Sequence, residues 1–289
     1  MFPRKIQQSI SLNYQTNKME GNRITQFIEA TRECWKGSQR EFWLMLVVWI
    51  SKGVGAAVHR PGPFTNTIVI IGDDWAAGRG DTPTIGSVPG LAGHLKTQLT
   101  NEFKVKQTWR IYNCGQNGST STDWLPTSEK QEPQMTLFER VFSNSKYSDA
   151  QVVFLLVGSN DALLSPEQTM ANIHSICKVL SNMDKTIFVC PIANWGNDKH
   201  SDALIEANMR RNEMIVEYTS RKSDHVFAGP RIDAMSYEYR VPRYYTADGQ
   251  FFCHAGYQKL GKDFADVVVN RLVKIEFNKF MKALKGKAG

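Results

Sequence analysis

The sequence predicts an α/β fold in which helices cover both faces of a five-stranded parallel sheet. The first observation is the apolar run Thr67-Ile68-Val69-Ile70-Ile71, which ends at Gly72. Strands buried on both faces are continuously apolar instead of alternating with polar residues. The second observation is that segments of this kind alternate with helical patterns, which is typical of a parallel sheet. A chain of 289 residues is long enough for one such domain with extensions.

The elements follow one another from residue 67 to residue 272. The predicted strands cover 67–72, 108–113, 151–157, 186–192 and 225–229, and the helical patterns cover 87–103, 135–144, 166–182, 200–220 and 254–272. Helix 166–182 has the clearest start, because Ser165 is a good N-cap and Pro166 suits the first helical position. Its predicted buried stripe is Ile173, Ile176, Cys177 and Leu180.

Charge divides the chain into three parts. Residues 1–65 carry a net charge of +5, residues 270–289 carry +5, and the stretch between them carries −3, which gives the total of +7. We therefore predict a basic and apolar helical extension at 1–63, an α/β domain at 64–272 and a basic helical tail at 273–289. Basic ends are compatible with solvated tails, with RNA or with an anionic membrane surface.

The amino-terminal extension has two further features. No acidic residue precedes Glu20, which weakly resembles a mitochondrial presequence. The apolar run 42–50 continues loosely to Val58 but is interrupted by Lys52, whereas a membrane span needs about 20 apolar residues. We expect a buried or docking helix here, and a single transmembrane span is the less favoured alternative. Five scattered cysteines without C-x-x-C spacing indicate a reducing compartment, not disulfides or a zinc site.

Four short polar stretches lie at predicted element ends, where open α/β sheets carry their chemistry. They are Gly72-Asp73-Asp74, Asn113-Cys114-Gly115-Gln116-Asn117-Gly118-Ser119-Thr120, Gly158-Ser159-Asn160-Asp161 and Asp248-Gly249-Gln250-Phe251-Phe252-Cys253-His254-Ala255-Gly256-Tyr257. In this order they resemble the motifs of the SGNH (GDSL) hydrolases, a family of esterases and lipases. The resemblance covers roughly residues 66–272.

The resemblance implies a role for each matching position. Asp74 stands where the family has its serine nucleophile, and Phe251 stands where it has its histidine base. Gly118 and Asn160 match the donors that stabilise the oxyanion, and Asp248 matches the acid that supports the histidine. The family glycine that fixes this register corresponds to Gly256.

Two of the three triad groups are therefore absent. Acyl transfer at neutral pH needs a nucleophile and a group that accepts its proton, and a phenyl ring does neither. A carboxylate at position 74 also places negative charge where an oxyanion would form. We expect no intact catalytic site, no cofactor and no metal.

Three alternatives stay open at this stage. Asp74 acts as a carboxylate nucleophile with His254 as its base, in an active ester hydrolase. Alternatively, the vestigial pocket around Asp74 and Phe251 binds a small molecule. A third arrangement has Asp73, Asp74 and Asp161 holding Mg²⁺, since hard cations take oxygen ligands.

The sequence as a whole favours a catalytically degenerate member of the family that works as a subunit. We expect an accessory or structural subunit of a large mitochondrial assembly, either a ribosome or a membrane-bound respiratory or ATP-synthase complex. Docking to other protein subunits would use 22–58 and 270–289, because both segments are basic and apolar. RNA or an anionic membrane surface is a further candidate partner for these segments.

Overall fold

A computed structural model of the chain describes residues 55–81, 88–126, 135–193, 202–233 and 239–285. All of them belong to a compact unit that begins at Ile50. The acid-free start, the predicted helix from Asn22 and the part of the apolar run between residues 42 and 54 lie outside the described residues. The predictions made for them stay predictions.

A six-stranded mixed sheet forms the centre of this unit. Its strands are β1 (Ala56–Val58), β2 (Thr65–Gly72), β3 (Thr108–Asn113), β4 (Val152–Leu156), β5 (Thr186–Val189) and β6 (Val226–Ala228). They lie in the order β1-β3-β2-β4-β5-β6. All neighbouring pairs are parallel except β1 with β3, which is antiparallel.

Helices lie on both faces of the sheet. They are α1 (Asp74–Ala77), α2 (Gly90–Asn101), α3 (Leu137–Phe142), α4 (Ser145–Ser148), α5 (Pro166–Asn182), α6 (Asp202–Ser220) and α7 (His254–Lys285), with short 3₁₀ turns at Thr122–Trp124 and Pro242–Tyr244. Apolar residues of α2 and α7 pack on one face, and those of α3, α5 and α6 pack on the other. The three-layer α/β/α prediction is confirmed.

The bounds of helix α5 follow from local sequence signals. Its bounds are those predicted from Ser165 and Pro166, and the Ser165 side chain accepts a hydrogen bond from the Gln168 amide. The predicted stripe Ile173, Ile176, Cys177 and Leu180 is fully buried. A capping signal, a proline at the first turn and a regular apolar stripe all favour the same boundaries.

Strand β1 corrects the prediction that residues 42–58 continue a helical extension. Residues 56–58 are extended and pair with β3, with Ala56 opposite Ile111 and Val58 opposite Trp109. The sheet therefore has six strands instead of five, and the sixth is antiparallel. Its three residues are too few to show a strand period. The pairing also places residues before the predicted domain start at 64 within the sheet.

Residue Arg60, in the predicted extension 1–63, belongs to the domain as well. Its guanidinium donates hydrogen bonds to the carbonyl oxygens of Leu99, Thr100, Glu102 and Val105 at 2.8–3.2 Å. These carbonyls lie at and beyond the carboxyl end of α2, where the last helical carbonyls need donors and the helix dipole favours a cation.

Helix α7 is a single helix of 32 residues, so the predicted boundary between 272 and 273 falls inside it. Beyond that boundary Glu276 is 5% exposed. Its carboxylate accepts hydrogen bonds from the amides of Lys106 and Gln107 and from the Trp109 indole at 2.8–3.0 Å. Part of the predicted tail thus packs against the start of β3.

Within the ranges that the structure describes, no helix combines the length and the apolarity needed to cross a membrane. The cysteines that the structure describes, Cys114, Cys177, Cys190 and Cys253, are free thiols.

Candidate functional site

The site begins where β2 ends against β4. Gly72 has φ +134°, and a Cβ at this position would lie 1.7 Å from the carbonyl oxygen of Leu156. Only glycine permits this close backbone approach. The chain then turns into α1, with Asp73 as its N-cap: the carboxylate accepts a hydrogen bond from the Trp75 amide at 3.1 Å. Asp73 therefore caps the amino end of α1.

Asp73 also joins the β2 and β4 loops. Its second oxygen accepts hydrogen bonds from the Ser159 amide at 3.0 Å and the Ser159 hydroxyl at 2.7 Å. Burial raises the pKa of Asp73 to about 7, although the donors from Ser159 act in the opposite direction. Asp73 thus holds the loops together from a fully buried position.

The Asp74 carboxylate accepts hydrogen bonds from the two donors that the resemblance assigned to oxyanion binding. Its Oδ2 atom accepts hydrogen bonds from the Gly118 amide at 3.0 Å and from the Asn160 Nδ2 atom at 2.7 Å. Donors of a working oxyanion hole lie about 2.7–3.1 Å from the oxyanion. The predicted convergence of Asp74, Gly118 and Asn160 is therefore present, and the oxygen between the two donors belongs to Asp74.

The other carboxylate oxygen of Asp74 pairs with Arg79. The Arg79 Nη1 atom lies 2.8 Å from Asp74 Oδ1, and the Asp74 side chain is 2% exposed. The Arg79 guanidinium also lies over the Phe251 ring, 4.2 Å from its centroid. Attraction between a cation and an aromatic face favours this arrangement. The residue at the histidine position thus contacts the arginine that pairs with the residue at the serine position.

The positions of Gly118 and Asp248 are explained by the local backbone conformation. Gly118 has φ +72°, and an added Cβ would meet nothing within 4 Å, so its conformation and not its size favours glycine. Asp248 is exposed, and its Oδ1 atom accepts hydrogen bonds from the Thr246 hydroxyl and the Gln250 amide. These bonds are those of a turn aspartate.

His254 does not contact Asp74. Its Nδ1 atom lies 3.0 Å from Asp81 Oδ1, while His94 Nε2 lies 3.0 Å from Asp81 Oδ2. The structure therefore does not assemble the Asp74–His254 pair considered from the sequence. Among the described residues, no histidine lies within hydrogen-bonding distance of Asp74.

The three aspartates considered for Mg²⁺ do not converge on a common point either. The Asp161 carboxylate accepts hydrogen bonds from the Ser121 amide and the Thr169 hydroxyl, both at 2.8 Å. Asp73 and Asp74 have the separate donors described above. Of the residues that the structure describes, the group whose ligand atoms come close enough for a metal ion is Asp81, His94 and His254.

The fold and the site define the class of the protein. A three-layer α/β domain carries a Gly-Asp turn after its first parallel strand, and this turn meets a glycine amide and an asparagine amide at the carboxyl edge of the sheet. Such a frame is that of an SGNH hydrolase-like domain.

The sequence model of the GDSL-like lipase/acylhydrolase family matches residues 68–264, which is more than half of the chain. The chain belongs to this family. No curated protein matches the chain significantly.

Solved structures agree with the fold. A putative GDSL-like lipase from Parabacteroides merdae has 16% identity and a TM-score of 0.54, covering 72% of this chain and 96% of that one. An acetyl-xylooligosaccharide esterase from Geobacillus has 14% identity and a TM-score of 0.52, with 75% and 95% covered. A lipase/acylhydrolase from Enterococcus faecalis has 15% identity and a TM-score of 0.50, with 71% and 96% covered. At these identities the likeness concerns the fold alone.

Arg79 and Asp81 were given no site role in the sequence analysis, and His254 was considered there only as a base for Asp74. Arg79 is five positions after Asp74, and no local pattern marks it as a partner of that carboxylate. Asp81 and His254 are 173 positions apart, so only the packing of α7 against α2 brings them together. The one available signal was Gly78-Arg79-Gly80-Asp81 directly after α1, which places two charged residues close to Asp74.

Proposed function

We propose that this member of the GDSL-like family does not hydrolyse esters and that its domain is retained as a structural part of a larger assembly. The observation that carries the first half of the proposal is the Asp74 carboxylate between the Gly118 and Asn160 donors. A developing oxyanion would need the position that this carboxylate oxygen occupies, and the two negative charges would repel each other.

The surroundings of Asp74 support the same reading. A carboxylate nucleophile would have to leave both donors and the Arg79 ion pair before it attacked an acyl carbon. It would then need a base to activate water for the second step. The aromatic ring of Phe251 supplies none, and His254 pairs with Asp81.

The small-molecule alternative has weaker support. The open depression of about 640 Å³ found on the domain is lined by Thr65, Thr67, Lys185 and Lys279 among other residues. Thr65 and Thr67 lie at the amino end of β2, whereas Asp74 follows its carboxyl end. Beside Asp74, the Arg79 guanidinium pairs with the carboxylate and lies over the Phe251 ring, and the Arg79 side chain is 51% exposed.

The docking half of the proposal rests on the end of α7. Phe277, Phe280 and Leu284 are 60%, 47% and 47% exposed, on a helix whose last turn carries Lys282 and Lys285. Exposed aromatic residues on a basic helix suit a protein or anionic partner. Lys279 donates to the Thr65 carbonyl oxygen, which places this surface at the amino end of the sheet. The two basic ends of the sequence and its acid-free start are the reasons to propose a mitochondrial assembly.

Turnover of short acyl esters tests the hydrolytic half. We expect the full chain to release acetate and butyrate no faster than buffer alone, and Asp74→Ala to behave in the same way. Turnover above the buffer rate that Asp74→Ala abolishes would overturn the proposal. The double variant Asp74→Ser/Phe251→His serves as a probe of the frame, since it restores a hydroxyl and an imidazole beside Gly118 and Asn160.

Fractionation of the native protein by size tests the docking half. We expect the full chain in organelle extracts to sediment with a large mitochondrial complex. Phe277→Ser/Phe280→Ser should move it to the free fraction at unchanged melting temperature. Leu163→Ser is the matched control, because Leu163 is 99% exposed on a loop at the opposite end of the sheet. A full chain that sediments as a free monomer would contradict the proposal, and steep loss of association with salt would indicate an anionic partner such as RNA.

A further inference from the structure

Three side chains from three segments of the fold converge beside α1. Asp81 follows α1, His94 lies on α2, and His254 is the first residue of α7. Asp81 Oδ2 lies 3.0 Å from His94 Nε2, and Asp81 Oδ1 lies 3.0 Å from His254 Nδ1. One ligand atom from each residue can be chosen so that all three lie within 4.8 Å of one another. The rings of the two histidines are 4.7 Å apart between centroids.

The carboxylate in this cluster is buried, and its partners are imidazoles. The Asp81 side chain is 1% exposed, and among the described residues its further donor is the Gly90 amide, at 2.7 Å from Oδ2. No lysine or arginine among the described residues pairs with Asp81. With neutral imidazoles, the cluster therefore holds one buried negative charge, which is costly without a cation.

The donor set suits a transition metal better than Mg²⁺ or Ca²⁺. Two imidazole nitrogens and one carboxylate are typical ligands of Zn²⁺ and related divalent ions, whereas Mg²⁺ and Ca²⁺ prefer oxygen alone. Three protein ligands leave at least one position for water. His254 is 55% exposed and His94 is 12% exposed, so the water side of the cluster is at His254.

We propose that Asp81, His94 and His254 bind one divalent transition-metal ion of the Zn²⁺ type. The ion would replace the two Asp81–histidine hydrogen bonds by coordination through His94 Nε2, His254 Nδ1 and the Asp81 carboxylate. It would join the segment after α1 to α2 and α7, so its effect is on stability. The proposal goes beyond the proposed function and does not depend on it.

The surroundings of the ligands indicate the strength of binding. Ligand histidines commonly donate their second ring nitrogen to a carboxylate or carbonyl, which fixes the ring and strengthens the site. Among the described residues, neither His94 nor His254 has such a partner. The site is therefore one of moderate affinity, in which the buried Asp81 is held by Gly90 and the two rings are held by packing.

Calorimetric titration of the chelator-treated full chain with Zn²⁺ tests the proposal. We expect one equivalent to bind and the melting temperature to rise with free Zn²⁺, because an ion that binds only the folded state stabilises it. His254→Gln should weaken binding at least about tenfold, and His94→Gln should do the same. His254 is half exposed, so its variant is expected to fold with the melting temperature of the metal-free chain.

His174→Gln is the matched control. His174 lies on α5 against the Tyr218 ring and is remote from the cluster, so its replacement should leave Zn²⁺ affinity unchanged. The Co²⁺ form should show ligand-field bands without a thiolate charge-transfer band, since Cys253 is adjacent in sequence but outside the ligand set. The proposal is overturned if no saturable binding occurs, if both histidine variants bind as tightly as the native chain, or if a thiolate band appears.

Discussion

At the scale of single residues, the main feature is a buried carboxylate that satisfies three donor groups at once. Asp74 accepts from Gly118 and Asn160 with one oxygen and pairs with Arg79 through the other, while Arg79 covers Phe251. In an enzyme, groups of the active site are commonly strained or poorly satisfied, and replacing them often increases stability. Here every polar atom of the carboxylate has a partner, so the residue contributes to the fold.

The first prediction is that Asp74→Ala destabilises the chain by about 1–3 kcal/mol. The change leaves the Asn160 amide and the Arg79 guanidinium without the partner they have in the folded state. Urea unfolding measures the difference. Asp266→Ala is the control, because Asp266 and its partner Lys262 are both 64% exposed. This substitution should lower the free energy of unfolding by less than about 0.5 kcal/mol. An Asp74→Ala chain as stable as the native one would show that these contacts contribute nothing.

The second prediction concerns Asp73 and pH. Burial raises its pKa from 3.8 to about 7 in the folded chain. Between these two values the folded state holds a proton that the unfolded state lacks, so the contribution of Asp73 to stability falls as the pH rises through this window. Above the pKa of Asp73 in the folded chain, this contribution to stability is completely lost. The stability of the native chain relative to Asp73→Asn should therefore decrease from about pH 5 to about pH 8.

Urea unfolding of both chains across that pH range measures the difference. The Asp266→Asn variant is the control, because it makes the same substitution at an aspartate that is 64% exposed. A difference between the native chain and Asp73→Asn that stays constant with pH would show that Asp73 is ionised throughout the range.

At the scale of elements, α7 and the segment around β1 close the same edge of the fold. Glu276 of α7 accepts hydrogen bonds from the amides that lead into β3. Arg60, after β1, donates hydrogen bonds to the carbonyl oxygens at the end of α2. Both are charged residues that satisfy backbone groups at the end of an element. No sequence pattern predicts either role, since each depends on a partner that is distant in the chain.

The third prediction is that Glu276→Ala destabilises the chain by about 2–4 kcal/mol. Two amides and the Trp109 indole would lose a buried, charged acceptor, and the Trp109 side chain is fully buried. Thermal and urea unfolding measure the effect. Glu217→Ala is the matched control: Glu217 is also helical, but its ion pair with Arg221 is 70% exposed on the glutamate side. Equal effects of the two substitutions would refute the role given to Glu276.

At the scale of the whole molecule, the described unit is larger than the predicted domain at both ends. A chain of residues 55–285 keeps β1, Arg60 and all of α7, whereas a chain of residues 60–272 loses β1 and Glu276. The fourth prediction is that 55–285 unfolds cooperatively and 60–272 is unstable or insoluble. Calorimetry of both chains tests it, and a 60–272 chain with the same melting temperature would show that these ends are dispensable.

The sequence was sufficient for those parts of the fold that depend on local signals. Alternation of apolar runs with helical patterns predicted the parallel strands, and Ser165 with Pro166 predicted the start of α5. The resemblance of the four polar stretches to the family motifs implied that Asp74, Gly118 and Asn160 meet, at the edge where the carboxyl ends of parallel strands lie.

The remaining features depend on packing between distant segments. Strand β1 has three residues and pairs with β3 about 50 positions away, so no period reveals it. The cluster of Asp81, His94 and His254 forms only when α7 lies against α2, across separations of 13 and 173 positions. The Arg79–Asp74 pair was missed for a different reason, since a short turn between them decides whether the two side chains face each other.

The contact of Arg79 with both Asp74 and Phe251 also limits how the site could change by mutation. In the standard genetic code, no single-nucleotide change converts an aspartate codon into a serine codon or a phenylalanine codon into a histidine codon. Each intermediate would break a packed ion pair or a cation–aromatic contact and would still lack one member of the hydrolytic pair. Selection would therefore act against each separate step, so the present pair of residues is expected to persist in descendants of this gene.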